Sequence, residues 1–206
     1  MKAPGMLVLL ALSWVTYFIF DRDEYATGHP LYFHAPDLTQ NPLAVAPNLL
    51  VTPLVNTQTD QILLVSGLLL LFGTAVERRL GTAAALALFW VASSTAAVLG
   101  GLLLHPLYSH FPDVHMFADG GWYRIFNGGS AGGFALLAAY AALSPRPWLW
   151  VGLFLVWEPV FWLFVSGDFT SVFHFIAFVT GFLGARWLQA QSPPQASGST
   201  MRNSLP

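Results

Sequence analysis

The sequence predicts an all-α membrane protein built as a bundle of six transmembrane helices, and three observations carry that expectation. Only 9% of the 206 residues are charged and 55% are hydrophobic, whereas a water-soluble domain carries about 25% charged residues. Mean hydropathy is +0.60. The apolar residues are gathered into six runs close to the roughly 17–25 residues that cross a bilayer. Eight Lys and Arg against ten Asp and Glu give a net charge of −2, with no basic tract for nucleic acid. Cysteine is absent, which excludes disulfides and thiolate metal or redox chemistry.

The first run covers 4–20 and stops at Asp21-Arg22-Asp23-Glu24. A signal peptide would need a small-x-small cleavage site there, and Tyr17-Phe18-Ile19-Phe20 stands in its place. The second run, 61–76, stops at Glu77-Arg78-Arg79, and the third, 82–104, at His105-Pro106. The fourth, 128–143, stops at Ser144-Pro145-Arg146-Pro147, the fifth, 148–165, at Gly167-Asp168, and the sixth spans 171–188. Runs two and four are short for a lone span and are expected to sink partly into protein. Residues 1–188 thus form one transmembrane domain, and the Ser/Pro/Gln-rich tail 189–206 is expected to be disordered.

Cytoplasmic loops collect Lys and Arg. With the N-terminus inside, Lys2, Arg78, Arg79, Arg146, Arg186 and Arg202 are cytoplasmic and only Arg22 and Arg124 external, six against two. The expectation is a multi-pass protein of a bacterial inner membrane with both termini in the cytoplasm. Trp148, Trp150 and Trp187 fall near inner helix ends, where interfacial anchors belong. Two long external segments, 21–60 and 105–127, exceed ordinary loop lengths. Absence of an internal repeat counts against an inverted-repeat transporter.

Polar side chains are costly in hydrocarbon and mark either function or inter-helix bonds. Ser130 stands in Asn127-Gly128-Gly129-Ser130-Ala131-Gly132-Gly133-Phe134, which reads equally as a small-residue packing stripe. His174 stands among apolar residues and reads equally as a buried imidazole bonded to a carbonyl. Together they say more. Spans four and six both begin outside, so Ser130 and His174 lie about 3–5 Å below their outer helix ends at 1.5 Å per residue. Span two begins at the same level with Gln61. A serine hydroxyl needs a base, and neutral His serves near pH 7. The oxyanion needs aimed donors, for which backbone N–H groups at Gly128 and Ser130 and the Gln61 amide are candidates. Many hydrolases add an acid that orients the His. None stands near the outer ends of these helices, so packing is expected to hold the ring.

These motifs resemble those of the rhomboid family of intramembrane serine proteases, over roughly 60–188. Gly128-Gly129-Ser130-Ala131 is similar to the family's G-x-S-G nucleophile motif, with Ala131 in place of the second Gly. His174, Ala177 and Gly181 resemble its catalytic His helix, and the stretch from Phe72 to Gly81 resembles its G-x-x-x-E-[RK]-x-x-G segment. The resemblance implies a six-helix rhomboid-like bundle and a Ser130–His174 dyad with Phe134 packed on the His. It implies no cofactor, and membrane-protein substrates within the lipid bilayer as partners. The family's His and Asn on the second helix are replaced by Gln61 and Val65, and an Asn at 65 is expected to keep or raise activity. A family member without cleavage would instead be a pseudoprotease that binds membrane clients.

Glu158 lies near the middle of span five, beside Pro159. An ionised carboxylate there costs at least a few kcal/mol, so a neutral or hydrogen-bonded Glu is expected. A proton or ion path around it is the competing, transporter-like reading. By resemblance the fifth helix gates lateral substrate entry, and a Glu158-Pro159 kink suits a gate. Glu158→Gln is expected to keep folding and most activity, and Glu158→Leu to destabilise. His105, His110 and His115 recur every five residues, a spacing unlike helical ligand pairs, so no metal site is expected.

Overall fold

The computed structural model describes residues 3–19, 33–110, 125–166 and 169–191. Among them the chain is all-helical. Four helices are long and apolar enough to cross a membrane: Thr59–Leu80, Thr82–Leu107, Pro147–Phe164 and Thr170–Gln191. In chain order, α1 is Pro4–Ile19, α2 Asp37–Gln40 and α3 Pro42–Val51, the last followed by the 3₁₀ turn Thr52–Leu54. Then come α4 (Thr59–Leu80), α5 (Thr82–His110), α6 (Ser130–Leu143), α7 (Pro147–Phe161, continued by the π turn Trp162–Ser166) and α8 (Thr170–Gln191). The charged stop after span one, His29, Asp113, His115, Arg124, Asp168 and 192–206 lie outside the described residues.

Boundaries differ from expectation at three helices. α4 does not stop at Glu77-Arg78-Arg79 but carries them in its last turns to Leu80. α5 does not stop at His105-Pro106 but carries Pro106 inside it. Proline removes one N–H and frees the Leu102 carbonyl, a loss that membrane helices tolerate where neighbours re-satisfy the backbone. α8 runs to Gln191, so 189–191 are helix rather than tail.

α6 is the hub. It has 14 residues, about 21 Å at helical rise, which is short of the ~30 Å hydrocarbon core. Its Gly132, Gly133, Ala135, Ala138, Ala139, Ala141 and Ala142 are buried, so its surroundings are other helices rather than lipid. Small side chains let α8 press directly on its backbone: a Cβ at Gly181 would stand 2.3 Å from the Ala135 carbonyl oxygen. The main core joins Met6 and Leu9 of α1, Val65 and Leu69 of α4, Phe89 of α5, Leu136 of α6 and Ala185 of α8. Outward faces such as Leu71, Val91, Leu153, Val156 and Leu183 remain exposed, as lipid-facing positions should.

Polar contacts tie the ends. The Glu77 carboxylate accepts the Gly5 and Met6 N–H groups, both at 2.9 Å, and the Thr82 hydroxyl at 2.6 Å. It thereby satisfies the orphan donors at the start of α1. At the same end Arg79 Nη1 donates to the Leu143 carbonyl at 2.8 Å. Trp14 Nε1 donates to Ser66 Oγ at 3.0 Å between α1 and α4. At the opposite end Phe33 and Phe126 pack with centroids 4.9 Å apart, and the Phe126 N–H bonds the Phe33 carbonyl at 2.9 Å. The starts of α4, α6 and α8 meet there.

Candidate active site

The turn into α6 is built by three residues. Gly128 has φ of +94°, a conformation that favours glycine, and a Cβ there would lie 2.0 Å from Gln61 Nε2. Its N–H donates to the Thr52 carbonyl at 2.9 Å. The Gly129 N–H donates to Asn56 Oδ1 at 3.2 Å. Ser130 follows as the first residue of α6, where the leading N–H groups have no intrahelical acceptor and the dipole is positive.

His174, the fifth residue of α8, is 1% exposed. Phe134 packs on its ring with centroids 4.3 Å apart, the contact that the resemblance implied, and Phe161 of α7 lies 5.8 Å away. Nε2 lies 3.1 Å from Ser130 Oγ, within the roughly 2.6–3.5 Å required for base activation. The two nitrogens have different partners, because Nδ1 lies 3.0 Å from Glu158 Oε1.

That second contact overturns the expectation that no acid reaches the His. The error was one of depth. Glu158 lies near the middle of its span, yet the packing of α7 on α8 sets its carboxylate level with the His174 ring. α7 and α8 are antiparallel: Phe154 stacks on Phe178 with centroids 4.0 Å apart, and four residues along each helix Glu158 meets His174. Both groups are buried, Glu158 at 2% exposure. The other carboxylate oxygen, Oε2, has no partner among the described residues. If Ser130 donates its proton to Nε2, then Nδ1 carries the ring hydrogen and donates it to Oε1, because neutral imidazole has one donor and one acceptor.

Beside Ser130 lies a cavity of about 80 Å³ lined by, among others, Gln61, Ser93, Asn127, Ser130, Phe173 and His174. Ser93 Oγ is buried with no hydrogen-bond partner among the described residues. Gln61 Nε2 holds the Asn127 carbonyl loosely, at 3.5 Å, while its Oε1 accepts the Thr57 N–H at 3.2 Å. The Gln61 amide therefore reaches the cavity with a weakly engaged donor. Of the other two oxyanion candidates, Gly128 is corrected: its N–H is committed to Thr52. Ser130 N–H remains.

Val65 is fully buried in the main core. A Cβ at Gly129 would meet Val65 Cγ1 at 3.2 Å, and Val65 is not part of the cavity wall. An Asn at 65 would bury an amide in apolar packing, so loss of stability replaces the expected gain.

Asn56 was missed by sequence reasoning. It is 0% exposed, accepts from Gly129, and donates from Nδ2 to the Leu54 carbonyl at 3.1 Å. Its signal was an Asn-Thr pair just before span two, on the end that carries Ser130. His105 Nε2 and Thr39 Oγ1 are 3.1 Å apart. The side chains of His110 and His115 lie outside what is described, and no cluster of three or more potential metal ligands occurs among the described residues. Comparison of the chain with protein-family models, curated proteins and solved structures finds no match.

Proposed function

We propose that the chain is a rhomboid-type intramembrane serine protease, a six-helix bundle in which Ser130 is the nucleophile and His174 the general base. The observation that carries this reading is the 3.1 Å contact between Ser130 Oγ and His174 Nε2, beside a cavity into which Gln61, Ser93 and Asn127 bring polar groups. The two further spans are α1, with 16 residues, and α6, with 14. α6 is surrounded by protein and α1 packs against α4, so neither needs full spanning length alone.

Ser130 Oγ bonds the substrate carbonyl carbon while its proton passes to His174 Nε2. The carbonyl oxygen gains the negative charge, beside the Ser130 N–H and within reach of Gln61 Nε2. His174 then returns the proton to the amine nitrogen as the C–N bond breaks, which leaves an ester on Ser130. A water repeats the sequence and gives up its proton through His174. A cavity needs about 10–15 Å³ for each water and two to four polar partners. The 80 Å³ present, with Gln61, Ser93 and Asn127 on its wall, meets both needs. Chain, substrate and water account for every bond and proton. The substrates are membrane proteins with a span that can be unwound beside Ser130, cut near the outer leaflet. Both termini are cytoplasmic in this scheme.

Labelling of detergent-purified protein with a fluorophosphonate serine probe tests the reading. Wild type should label, and Ser130→Ala and His174→Ala should not. A folded wild type that neither labels nor cleaves a reporter helix would overturn the protease reading in favour of client binding, which would then survive Ser130→Ala.

A further inference from the structure

The contact between Glu158 and His174 exceeds what a Ser-His dyad needs, and it comes from an unusual place. Ser130 and His174 stand on α6 and α8, whose backbones touch at Gly181 and Ala135. Glu158 stands on α7, which is exposed along most of its length and buries only Phe154 and Glu158. Pro159 follows and removes the N–H that would bond the Leu155 carbonyl, and the helix widens into a π turn at Trp162–Ser166. One of the two side chains that seat α7 is therefore also the partner of the base.

We propose, on the basis of the protease reading, that Glu158 is a positioning residue which completes a Ser130–His174–Glu158 triad, and that the triad is complete only while α7 is seated against α8. An acceptor at Nδ1 fixes the ring hydrogen there and leaves Nε2 free to take the serine proton. When the ring becomes imidazolium, the carboxylate lies 3.0 Å away in an apolar setting, where its charge is weakly screened. A proton on Oε1 would reverse the order. Glu158 would then donate to Nδ1, the hydrogen would shift to Nε2, and the base would be lost. Displacement of α7 has a related effect, because it withdraws the carboxylate while Ser130 and His174 stay together. Seating of α7 and alignment of the base are thereby linked through one side chain.

Glu158→Gln separates this role from simple packing, since the amide keeps the size and can still hydrogen-bond. It should stay folded, but the contact with His174 replaces the retained activity expected from the sequence: kcat on a reporter helix should fall by on the order of 10³–10⁴ with KM little changed, as when a triad acid is replaced by its amide. Glu158→Asp, which keeps the carboxylate, should recover at least about tenfold over Glu158→Gln. ¹⁵N NMR of labelled histidine, assigned with His174→Gln, should show the Nδ1–H tautomer in wild type and loss of that preference in Glu158→Gln. Wild-type kcat and an unchanged tautomer in Glu158→Gln would overturn the triad. The tautomer is read without catalysis, so failure of wild type to label with the serine probe condemns the protease reading separately.

The seating of α7 is tested at its other anchor. Phe154→Leu should lower kcat roughly tenfold in the native background and by less than about twofold in the Glu158→Gln background, because both changes act through one contact. Phe154 also touches Phe134, at 5.7 Å. Equal losses in the two backgrounds would place the effect on that route and overturn the link between α7 and the triad.

Discussion

Ser130 and His174 are each ordinary residues for a membrane helix, and their chemistry arises from what surrounds them. His174 is bonded from both sides, by Ser130 at Nε2 and Glu158 at Nδ1, and is walled by Phe134 and Phe161. The donors available to an oxyanion in the proposed reaction are fewer. With Gly128 N–H taken by Thr52, the Gln61 amide is the remaining side-chain donor identified, and its present bond of 3.5 Å is weak. Gln61→Ala should therefore slow reporter cleavage by about 10²–10³, the usual effect of losing one oxyanion donor, without unfolding. A change below about threefold would reduce Gln61 to a brace for Thr57. Asn56→Ala strands the Gly129 N–H, and an unsatisfied buried donor costs about 1–3 kcal/mol. That loss should appear as a lower melting temperature together with weaker probe labelling of Ser130. The positions of Ser130, His174 and Gln61 were legible from the sequence because each begins a run on the same side of the bilayer. Glu158 was seen but misplaced, since a residue near midplane was judged by its own depth rather than by its partner across the α7–α8 hairpin. Asn56 was invisible because it acts from a loop, where hydrophobicity carries no register.

At the scale of elements, each apolar run coincides with a helix, and four of these are long and apolar enough to cross a membrane. Stop signals were less dependable: Pro106 was read as an end and lies inside α5. What the runs could not show is which helix lies at the centre. That follows from residue size, because the glycine and alanine of α6 let the α8 backbone at Gly181 and the side chains of Phe89 and Leu68 pack directly against it. Gly181→Ala tests this directly. Its added Cβ would stand 2.3 Å from the Ala135 oxygen, and backbone cannot yield as a flexible side chain can. Overpacking should cost about 1–3 kcal/mol and part Ser130 from His174. Probe labelling should then fall even in protein that remains folded. Full labelling with an unchanged melting temperature would show that α8 can slide past α6 without disturbing the pair. Glu77→Gln at the other end serves as the contrast. It weakens the cap on α1 by about 0.5–2 kcal/mol and should leave labelling of Ser130 unchanged at temperatures where the protein is folded.

For the whole molecule, the central question is which side of the membrane the site faces, and the proposed topology rests on where the cations gather. Arg78 and Arg79 end α4, Arg146 lies between α6 and α7, and Arg186 is near the end of α8. All four stand at the end opposite Ser130, where Glu77 caps α1 and Arg79 bonds the Leu143 carbonyl. Lys and Arg near span ends are commonly retained in the cytoplasm, and the proposed topology accordingly has the serine near the outer leaflet and the C-terminal end of α8 inside. The Cys-free chain makes this measurable with single cysteines. Gln40→Cys, at an exposed position beside Thr39 and hence near His105, should react with a membrane-impermeant maleimide on intact cells. Gln195→Cys should react only after the cells are opened. The opposite pattern would invert the molecule, place Ser130 at the inner leaflet and make substrates with cytoplasmic cleavage sites the ones to test. Labelling of both positions from outside would mean an even number of crossings between them, and α6, the shortest proposed span of that stretch, would then have to lose its place as a span. The outcome thus reaches back to the smallest scale, because the shared depth of Ser130, His174 and Gln61 rests on α4, α6 and α8 all entering from the same side.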